Sequence, residues 1–291
     1  MHIRNTVLRR LAASELETDE EKIRALGHFV VIGGGFSGVE VAGELVDCLA
    51  SIQHFYPRIK KQYLKVTVIH DGDRLLPELP ASLGMAAQSS LTKRGVAIHL
   101  ARRATSISDV GVHFADGLTI AGATVISTVG TCTNPLLETL GLALSRGRIA
   151  VQADMQVIDA PGLWAAGDCA LIPNAHDNDF APPTAQFAVV EGKLVAENIL
   201  AHIANKPTRS FKHQSRGMMA AIGHMRGVAE VFGIQFSGLP AWLLWRAYYL
   251  SQMPTLGRKV RIFVEWTWGM FFSVDITHLR FTRSGDVEKE E

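Results

Sequence analysis

The feature that most constrains the fold is a glycine-rich bend, residues 33–38, between two apolar segments of different period. Before it, HFVVI at residues 28–32 is a short continuous apolar run, typical of a strand buried in a parallel sheet. After it, apolar residues recur at helical spacing from residue 39 to residue 49. The bend itself, GGGFSG, fits the pattern G-x-G-x-x-G. The sequence therefore predicts a strand, a tight turn and a helix in succession.

This succession is typical of a dinucleotide-binding unit. The first glycine permits the tight turn, the second lets backbone N–H groups approach a pyrophosphate, and the third allows close packing of helix on strand. The amino end of the helix adds partial positive charge. The residues expected to bind the dinucleotide are Gly33, Gly35, Phe36, Ser37 and Gly38. The alternative is a bend in which small residues serve only helix–strand packing.

The next predicted strand, KVTVI at residues 65–69, ends in His70 and Asp71. A carboxylate at this place accepts hydrogen bonds from the ribose hydroxyls of NAD. Asp71 fills that role if the strand ends one residue late, whereas His70 would tolerate the phosphate of NADP. The sequence favours NADH.

The rest of the chain continues the α/β pattern. Helices are predicted at residues 4–26, 82–94 and 185–203, an antiparallel meander at 96–128, and two further strands at RIAV (148–151) and GLWAA (162–166). The predicted fold is a Rossmann-like α/β unit with a β-meander.

Composition excludes several classes of protein. Twenty-nine basic residues balance twenty-eight acidic ones, so no global field attracts nucleic acid. Three cysteines without a C-x-x-C pair argue against a disulfide framework, a zinc ribbon or a redox dithiol. The chain has no H-E-x-x-H motif, and no metal site is expected. It shows neither a signal peptide nor an uninterrupted apolar run long enough to span a bilayer.

The last fifty residues have a composition of their own. Four of the five tryptophans lie between residues 240 and 270, beside other aromatic residues and four basic ones. Aromatic residues with basic neighbours are typical of a segment that lies on a membrane surface, here residues 239–274. The alternative is a homodimer interface, since aromatic residues are also enriched there.

Four segments carry a family resemblance: VVIGGGFSGVEVAGEL, DRLLP, GLWAAGDCA and PPTAQFAVVEGKLVAENI, spread over residues 30 to 200. Together they resemble the two-dinucleotide-binding flavoprotein reductases and, within them, the type II NADH:quinone oxidoreductases. The resemblance implies FAD and NADH as cofactors and a quinone as acceptor.

The resemblance also implies roles for single residues. Glu40 matches a carboxylate near nicotinamide and flavin, and Gly130 matches the glycine that passes under the nicotinamide. Gly167 and Asp168 match a flavin contact, and Ala185 and Gln186 match the helix that approaches the isoalloxazine and frames the quinone pocket. An acid near a helix start can instead serve only the helix dipole. Val190 and Glu191 depart from the family, which often carries glutamine there.

One further departure concerns the amino end. The family begins with its own strand–G-x-G-x-x-G–helix for the ADP half of FAD, and this sequence shows no such element before residue 33. The expected organisation is a leading helix (1–26), an NADH domain (27–146), the remainder of an incomplete FAD domain (147–235), and a C-terminal surface region (236–291).

The function expected from the resemblance is hydride transfer from NADH to FAD and electron transfer to a membrane quinone, at the cytoplasmic face of the membrane. Two alternatives remain. One is a soluble FAD-dependent reductase of an electron-carrier protein. The other is a catalytically silent NADH-binding fragment.

Overall fold

The computed structural model describes residues 2–122, 124–130 and 132–272, and it divides into two compact units. The first is formed by the residues up to Val129 together with those from Gly217 onward, and the second is Gly130–Arg216. The boundaries between these units lie after residues 129 and 216, whereas the predicted boundaries lie after residues 26, 146 and 235. The predicted C-terminal region and membrane segment extend beyond residue 272, and their last residues lie outside the described part.

The first unit opens with four helices and seven strands. In chain order these are α1 (His2–Leu16), α2 (Glu20–Leu26), β1 (His28–Ile32), α3 (Phe36–Ile52), β2 (Lys65–Ile69), α4 (Ala81–Lys93), β3 (Ala97–His99), β4 (Ala104–Ser108), β5 (Gly111–Phe114), β6 (Thr119–Ala121) and β7 (Thr124–Ser127).

A four-stranded parallel sheet in the order β3-β2-β1-β7 is the centre of this unit. Phe29 and Val31 pack in the core cluster that includes residues of α3, whereas Val30 and Ile32 pack with the cluster that includes β5. Both faces of β1 are therefore covered, which explains its continuous apolar sequence. The predicted Rossmann-like β-α-β fold is confirmed.

The single helix predicted for residues 4–26 is wrong, because the segment forms two helices, α1 and α2. The Asp19 side chain accepts hydrogen bonds from the amides of Glu21 and Lys22 and so caps the start of α2. An aspartate in this position ends the preceding helical segment and begins a new one.

The predicted antiparallel meander at residues 96–128 is too long. Only β4, β5 and β6 form an antiparallel sheet, while β3 and β7 join the parallel sheet beside β2 and β1. Short apolar runs show that strands are present but do not identify their partners. Residue 123, within the predicted last strand, lies outside the described residues.

The second unit contains short elements around one long helix. They are α5 (Leu136–Thr139), β8 (Leu144–Ser145), β9 (Arg148–Ala150), β10 (Ala170–Leu171), β11 (Pro173–Asn174), β12 (Asp179–Phe180) and α6 (Ala185–Ile203). Its core gathers Ile149, Met155, Ile172, Phe187 and Phe211.

The strand predicted at residues 162–166 is wrong. Among the described residues this segment makes only an isolated bridge, between Gln156 and Trp164, and Gly162 at its start has a φ of +81°. A positive φ belongs to a turn and interrupts the extended backbone.

The chain returns to the first unit with three strands that the sequence analysis did not predict. They are β13 (Gly217–Ala221), β14 (Gly227–Val231) and β15 (Ile234–Gly238), and two helices follow, α7 (Leu239–Ser251) and α8 (Leu256–Phe271). The strands form an antiparallel sheet. Trp242 of α7 is buried, whereas none of the residues of α8 is.

Candidate dinucleotide-binding site

The glycine bend connects the end of β1 to the start of α3. Gly33 has a φ of +116°, and its amide donates to the Ile69 carbonyl oxygen at 2.8 Å. A Cβ built on Gly38 would lie far inside van der Waals contact of the Gly33 carbonyl oxygen. Glycine at 38 therefore lets α3 start directly against the end of β1.

The amino end of α3 presents free backbone donors. Among the described residues, no acceptor bonds the amides of Gly35, Phe36, Ser37 or Gly38. The space above the bend is open, since the nearest atom to a Cβ built on Gly35 is Glu78 Oε1, 3.6 Å away. Free amides at the start of a 17-residue helix are suited to binding an anion, because the helix dipole adds to the hydrogen bonds.

The two residues that follow β2 have different environments. The Gly34 amide donates to Nδ1 of His70 at 3.2 Å, and the His70 side chain is only 12% exposed. The Asp71 side chain is 63% exposed, with Oδ1 3.4 Å from His70 Nδ1. The structure therefore places His70 against the bend and leaves the Asp71 carboxylate largely exposed to solvent.

Glu40 lies one turn into α3 and is half-buried. Its Oε1 accepts a hydrogen bond of 3.1 Å from the Ala221 amide at the end of β13. Burial raises the pKa of Glu40, the Ala221 bond opposes that shift, and the charge of Glu44 adds to it. A carboxyl group with a raised pKa keeps its proton to a higher pH than an ordinary glutamate does, which suits it to holding or transferring a proton.

A pocket of about 760 Å³ adjoins Glu40 within the first unit. Its walls come from α1, α3 and the end of α8, and they are mostly apolar. Glu44, which the sequence analysis did not single out, shares this pocket. Glu44 lies four residues after Glu40 and therefore on the same face of α3, so the sequence spacing could have identified it.

The second unit brings together another group of the predicted residues. The Gly167 amide donates at 2.8 Å to Oε2 of Glu191, a carboxylate on α6 that is 2% exposed. A Cβ on Gly167 would lie 3.7 Å from Cβ of Ala188, so the turn holding Gly167 and Asp168 lies on the first turn of α6. The structural role of Glu191 was not predicted.

The polar groups of this second set, an exposed carboxylate and two free amides, fit the ribitol and ring end of a flavin. Asp168 is exposed beside the start of α6, and in the described part of the chain no acceptor bonds the amides of Ala185 or Gln186. Gly130, which opens the unit, has a φ of +61°, and a Cβ placed on it would meet no described atom within 4 Å. Over the described ranges, no three His, Cys, Asp or Glu side chains are grouped as metal ligands.

This chain is similar to a family model and to several known proteins. The family model of pyridine nucleotide-disulphide oxidoreductases matches residues 5–192. The type II NADH:quinone oxidoreductase Ndh of Mycobacterium tuberculosis is 27% identical over 280 residues, which cover 92% of this chain and 59% of that protein. The demethylphylloquinone reductase NdbB of Synechocystis is 30% identical over 254 residues, covering 86% of this chain and 59% of that protein.

Among solved structures, NDH2 from Plasmodium falciparum in complex with NADH superimposes with a TM-score of 0.85 at 16% identity, covering 95% of this chain and 72% of that one. At this identity the likeness shows the fold. The chain thus spans 59% of the length of the two relatives above.

Proposed function

Because the chain belongs to the pyridine nucleotide-disulphide oxidoreductase family, we propose that it binds NADH at the glycine bend and serves as a flavin-dependent NADH dehydrogenase. The observation that carries this proposal is the set of free amides at Gly35, Phe36, Ser37 and Gly38. They face open space at the positive end of α3, and a pyrophosphate is the ligand that such donors bind best.

Residues around the bend would then orient the nucleotide. Asp71 would accept hydrogen bonds from the ribose hydroxyls, which favours NADH over its phosphorylated form. The Glu40 carboxyl group would orient the nicotinamide amide or hold a proton beside it. Its raised pKa keeps part of the population protonated closer to neutral pH than an ordinary glutamate allows.

In the second unit, Asp168 would accept hydrogen bonds from the ribitol of FAD, and the start of α6 with Ala185 and Gln186 would face its ring. When bound, FAD supplies the redox chemistry, taking a hydride from the nicotinamide and releasing electrons to an acceptor. Gly130 would let the chain pass close to the nicotinamide, because its open surroundings leave room for a ring.

The proposed acceptor is a quinone, supported by the names of the relatives in Mycobacterium tuberculosis and Synechocystis. A quinone is reached most directly from a membrane surface. No helix in the described ranges is both long and apolar enough to cross a bilayer. Because a quinone acceptor is reached from the membrane surface, the proposed location is peripheral, on the cytoplasmic face.

Helix α8 supports a membrane-surface role. Six apolar residues on one of its faces are each more than half exposed: Leu256, Val260, Phe263, Val264, Trp268 and Phe271. Arg258, Lys259 and Arg261 lie elsewhere on the same helix. An exposed apolar face with basic neighbours lies in the interface of an anionic bilayer at low cost.

The proposal is tested by measuring bound flavin and activity on the purified chain. We expect visible absorption in the flavin bands. We also expect NADH oxidation with a short-chain quinone, at a rate that increases when FAD is added. A chain that binds NADH but takes up no FAD and reduces no quinone would instead be an NADH-binding module.

Vesicle binding separates the quinone proposal from a soluble reductase of an electron-carrier protein. Trp268→Ser should weaken sedimentation with anionic vesicles, whereas Phe232→Ser, at an even more exposed aromatic position between β14 and β15, should not. No sedimentation of the unchanged protein counts against the membrane role. If Trp268→Ser instead lowers the oligomeric state, the face is a homodimer contact.

A further inference from the structure

The turn between β13 and β14 is seated directly on helix α3. A Cβ on Gly43 would collide with the backbone of Ile222 and Gly223. Gly43 therefore lets the turn approach α3 at backbone distance, halfway between Glu40 and Asp47 on the same helix.

Arg94 and Asp47 hold this turn in place. From the end of α4, Arg94 Nη1 donates to Asp47 Oδ2 at 2.8 Å and to the Gly43 carbonyl oxygen at 3.2 Å, and its Nη2 donates to the Ile222 carbonyl oxygen. The same Asp47 oxygen accepts a 2.7 Å hydrogen bond from the His224 amide. The two side chains are 11% and 23% exposed, so both charges are largely removed from water and need each other.

The 222–224 turn directly follows the residue that is hydrogen-bonded to Glu40. Ala221 immediately precedes Ile222, and its amide is the donor to Glu40 Oε1. Ile222 is hydrogen-bonded to Arg94 and His224 to Asp47, so both side chains help to hold the segment that carries the Ala221 amide. Ala221 is also paired with Gly227 in the β13–β14 sheet, which leaves its amide directed at Glu40.

We propose that Arg94 and Asp47 are positioning residues for Glu40, holding the 222–224 turn on α3 so that the Ala221 N–H stays bonded to the Glu40 carboxylate. The catalytic meaning of this arrangement rests on the proposed function. The arrangement itself does not, and it can be measured without any cofactor.

The Ala221 bond stabilises the charged form of Glu40, and burial opposes it. Other groups near Glu40 are Glu44 on its own helix, Tyr249 on α7, and Arg4, His224 and Arg226 around the shared pocket. Loss of the Ala221 bond should therefore raise the pKa of Glu40 further.

The test is a pH titration of the Glu40 carboxyl group, monitored by carbon NMR on protein labelled at glutamate. The Glu40 signal is assigned by its loss in Glu40→Gln. Asp47→Ala and Arg94→Ala should both shift the titration midpoint upward. Their direct charge effects are opposite, because removing Asp47 alone lowers a nearby acid pKa and removing Arg94 alone raises it. A common upward shift therefore reports the lost amide bond.

Two more variants make the test specific. Asp47→Asn keeps an acceptor for the His224 amide and should hold the midpoint at or below that of the unchanged protein. Gly43→Ala pushes the turn away without changing any charge, so it should raise the midpoint, and it carries the test if Asp47→Ala does not fold.

Val112→Ala is the control for general destabilisation. Val112 is fully buried in β5, within a different core cluster, and its truncation should lower the melting temperature without moving the Glu40 midpoint. A downward shift in Asp47→Ala, or unchanged midpoints in folded Asp47→Ala, Arg94→Ala and Gly43→Ala, would overturn the proposal. A shifted midpoint in a chain that binds no NADH would leave the positioning intact and remove the proposed function.

Discussion

The Gly34 amide donates a 3.2 Å hydrogen bond to Nδ1 of His70, which ties the residue after β2 to the bend after β1. Among the described residues, His70 Nε2 is buried and has no hydrogen-bond partner. The His70 imidazole is therefore occupied by its hydrogen bond with the bend, and the Gly34 amide is not available to a ligand. Under the proposed function, discrimination between the two nicotinamide nucleotides would then fall to the exposed Asp71.

Asp71→Asn should weaken NADH binding about three- to tenfold, because a charge-assisted hydrogen bond to a ribose hydroxyl becomes a neutral one. Affinity for NADPH should rise, since a carboxylate no longer repels the extra phosphate. Fluorescence titration with both nucleotides measures the ratio. Asp73→Asn, an exposed carboxylate in the same loop, is the matched control. Equal ratios in the two variants would remove Asp71 from the site.

Two helical glycines should respond in opposite ways to alanine. Gly38→Ala should lower the melting temperature sharply, because its Cβ would meet the Gly33 carbonyl oxygen. Gly192→Ala, in α6 with nothing within 4 Å, should instead stabilise by about 0.5–1 kcal/mol through helix propensity. Thermal unfolding of both proteins tests whether α3 starts as tightly against β1 as described. A Gly38→Ala protein as stable as the unchanged one would contradict that packing.

The raised pKa of Glu40 predicts a pH dependence of stability. A carboxyl group with a folded-state pKa above its ordinary value of 4.5 contributes stability that is fully present below pH 4.5 and is lost as the pH rises through the folded pKa. Glu40→Gln should therefore be more stable than the unchanged protein at pH 7–8 and not at pH 4.

Urea unfolding at several pH values measures this difference. Asp109→Asn, at the exposed turn between β4 and β5, provides a carboxyl control that should show no such crossover. A constant difference between Glu40→Gln and the unchanged protein across the pH range would show that Glu40 titrates normally.

Glu191 should matter to the Gly167 turn through its hydrogen bond. Glu191→Ala leaves the Gly167 amide without its acceptor and should cost about 1–3 kcal/mol of unfolding free energy. Glu191→Gln keeps an acceptor and should cost less, since burial already raises the pKa of Glu191 and favours its neutral form. Denaturant unfolding compares the two. An equal loss in both would contradict a role that a neutral acceptor can fill, because glutamine keeps both the volume of the side chain and its acceptor.

Local signals predicted the part of the fold that forms the nucleotide site. The apolar run 28–32, the glycines after it and the helical spacing of α3 all lie within about twenty-five residues, so one stretch of sequence contains the whole unit. The family was indicated by four segments spread over residues 30 to 200, and the family and its α/β fold are confirmed by the comparisons.

Contacts between distant residues were not predictable in this way. Glu40 and Ala221 are 181 positions apart, and nothing around Ala221 marks its amide as a donor to a carboxylate. The strand predicted at 162–166 failed for a local reason, the positive φ of Gly162, which an apolar pattern does not show. Sequence therefore located the bend, and the surrounding hydrogen bonds required coordinates.

The most direct test of the account is NADH binding by Gly35→Val, measured by calorimetry beside the unchanged chain and Gly192→Ala. The nearest atom to a Cβ built on Gly35 is Glu78 Oε1, 3.6 Å away, so the fold has room for a side chain there. The variant should therefore fold and have a melting temperature close to that of the unchanged protein. Its side chain would occupy the place of the pyrophosphate, and binding should fall below detection while Gly192→Ala binds as before. Unchanged NADH affinity in a folded Gly35→Val protein would contradict the claim that this bend holds the nucleotide.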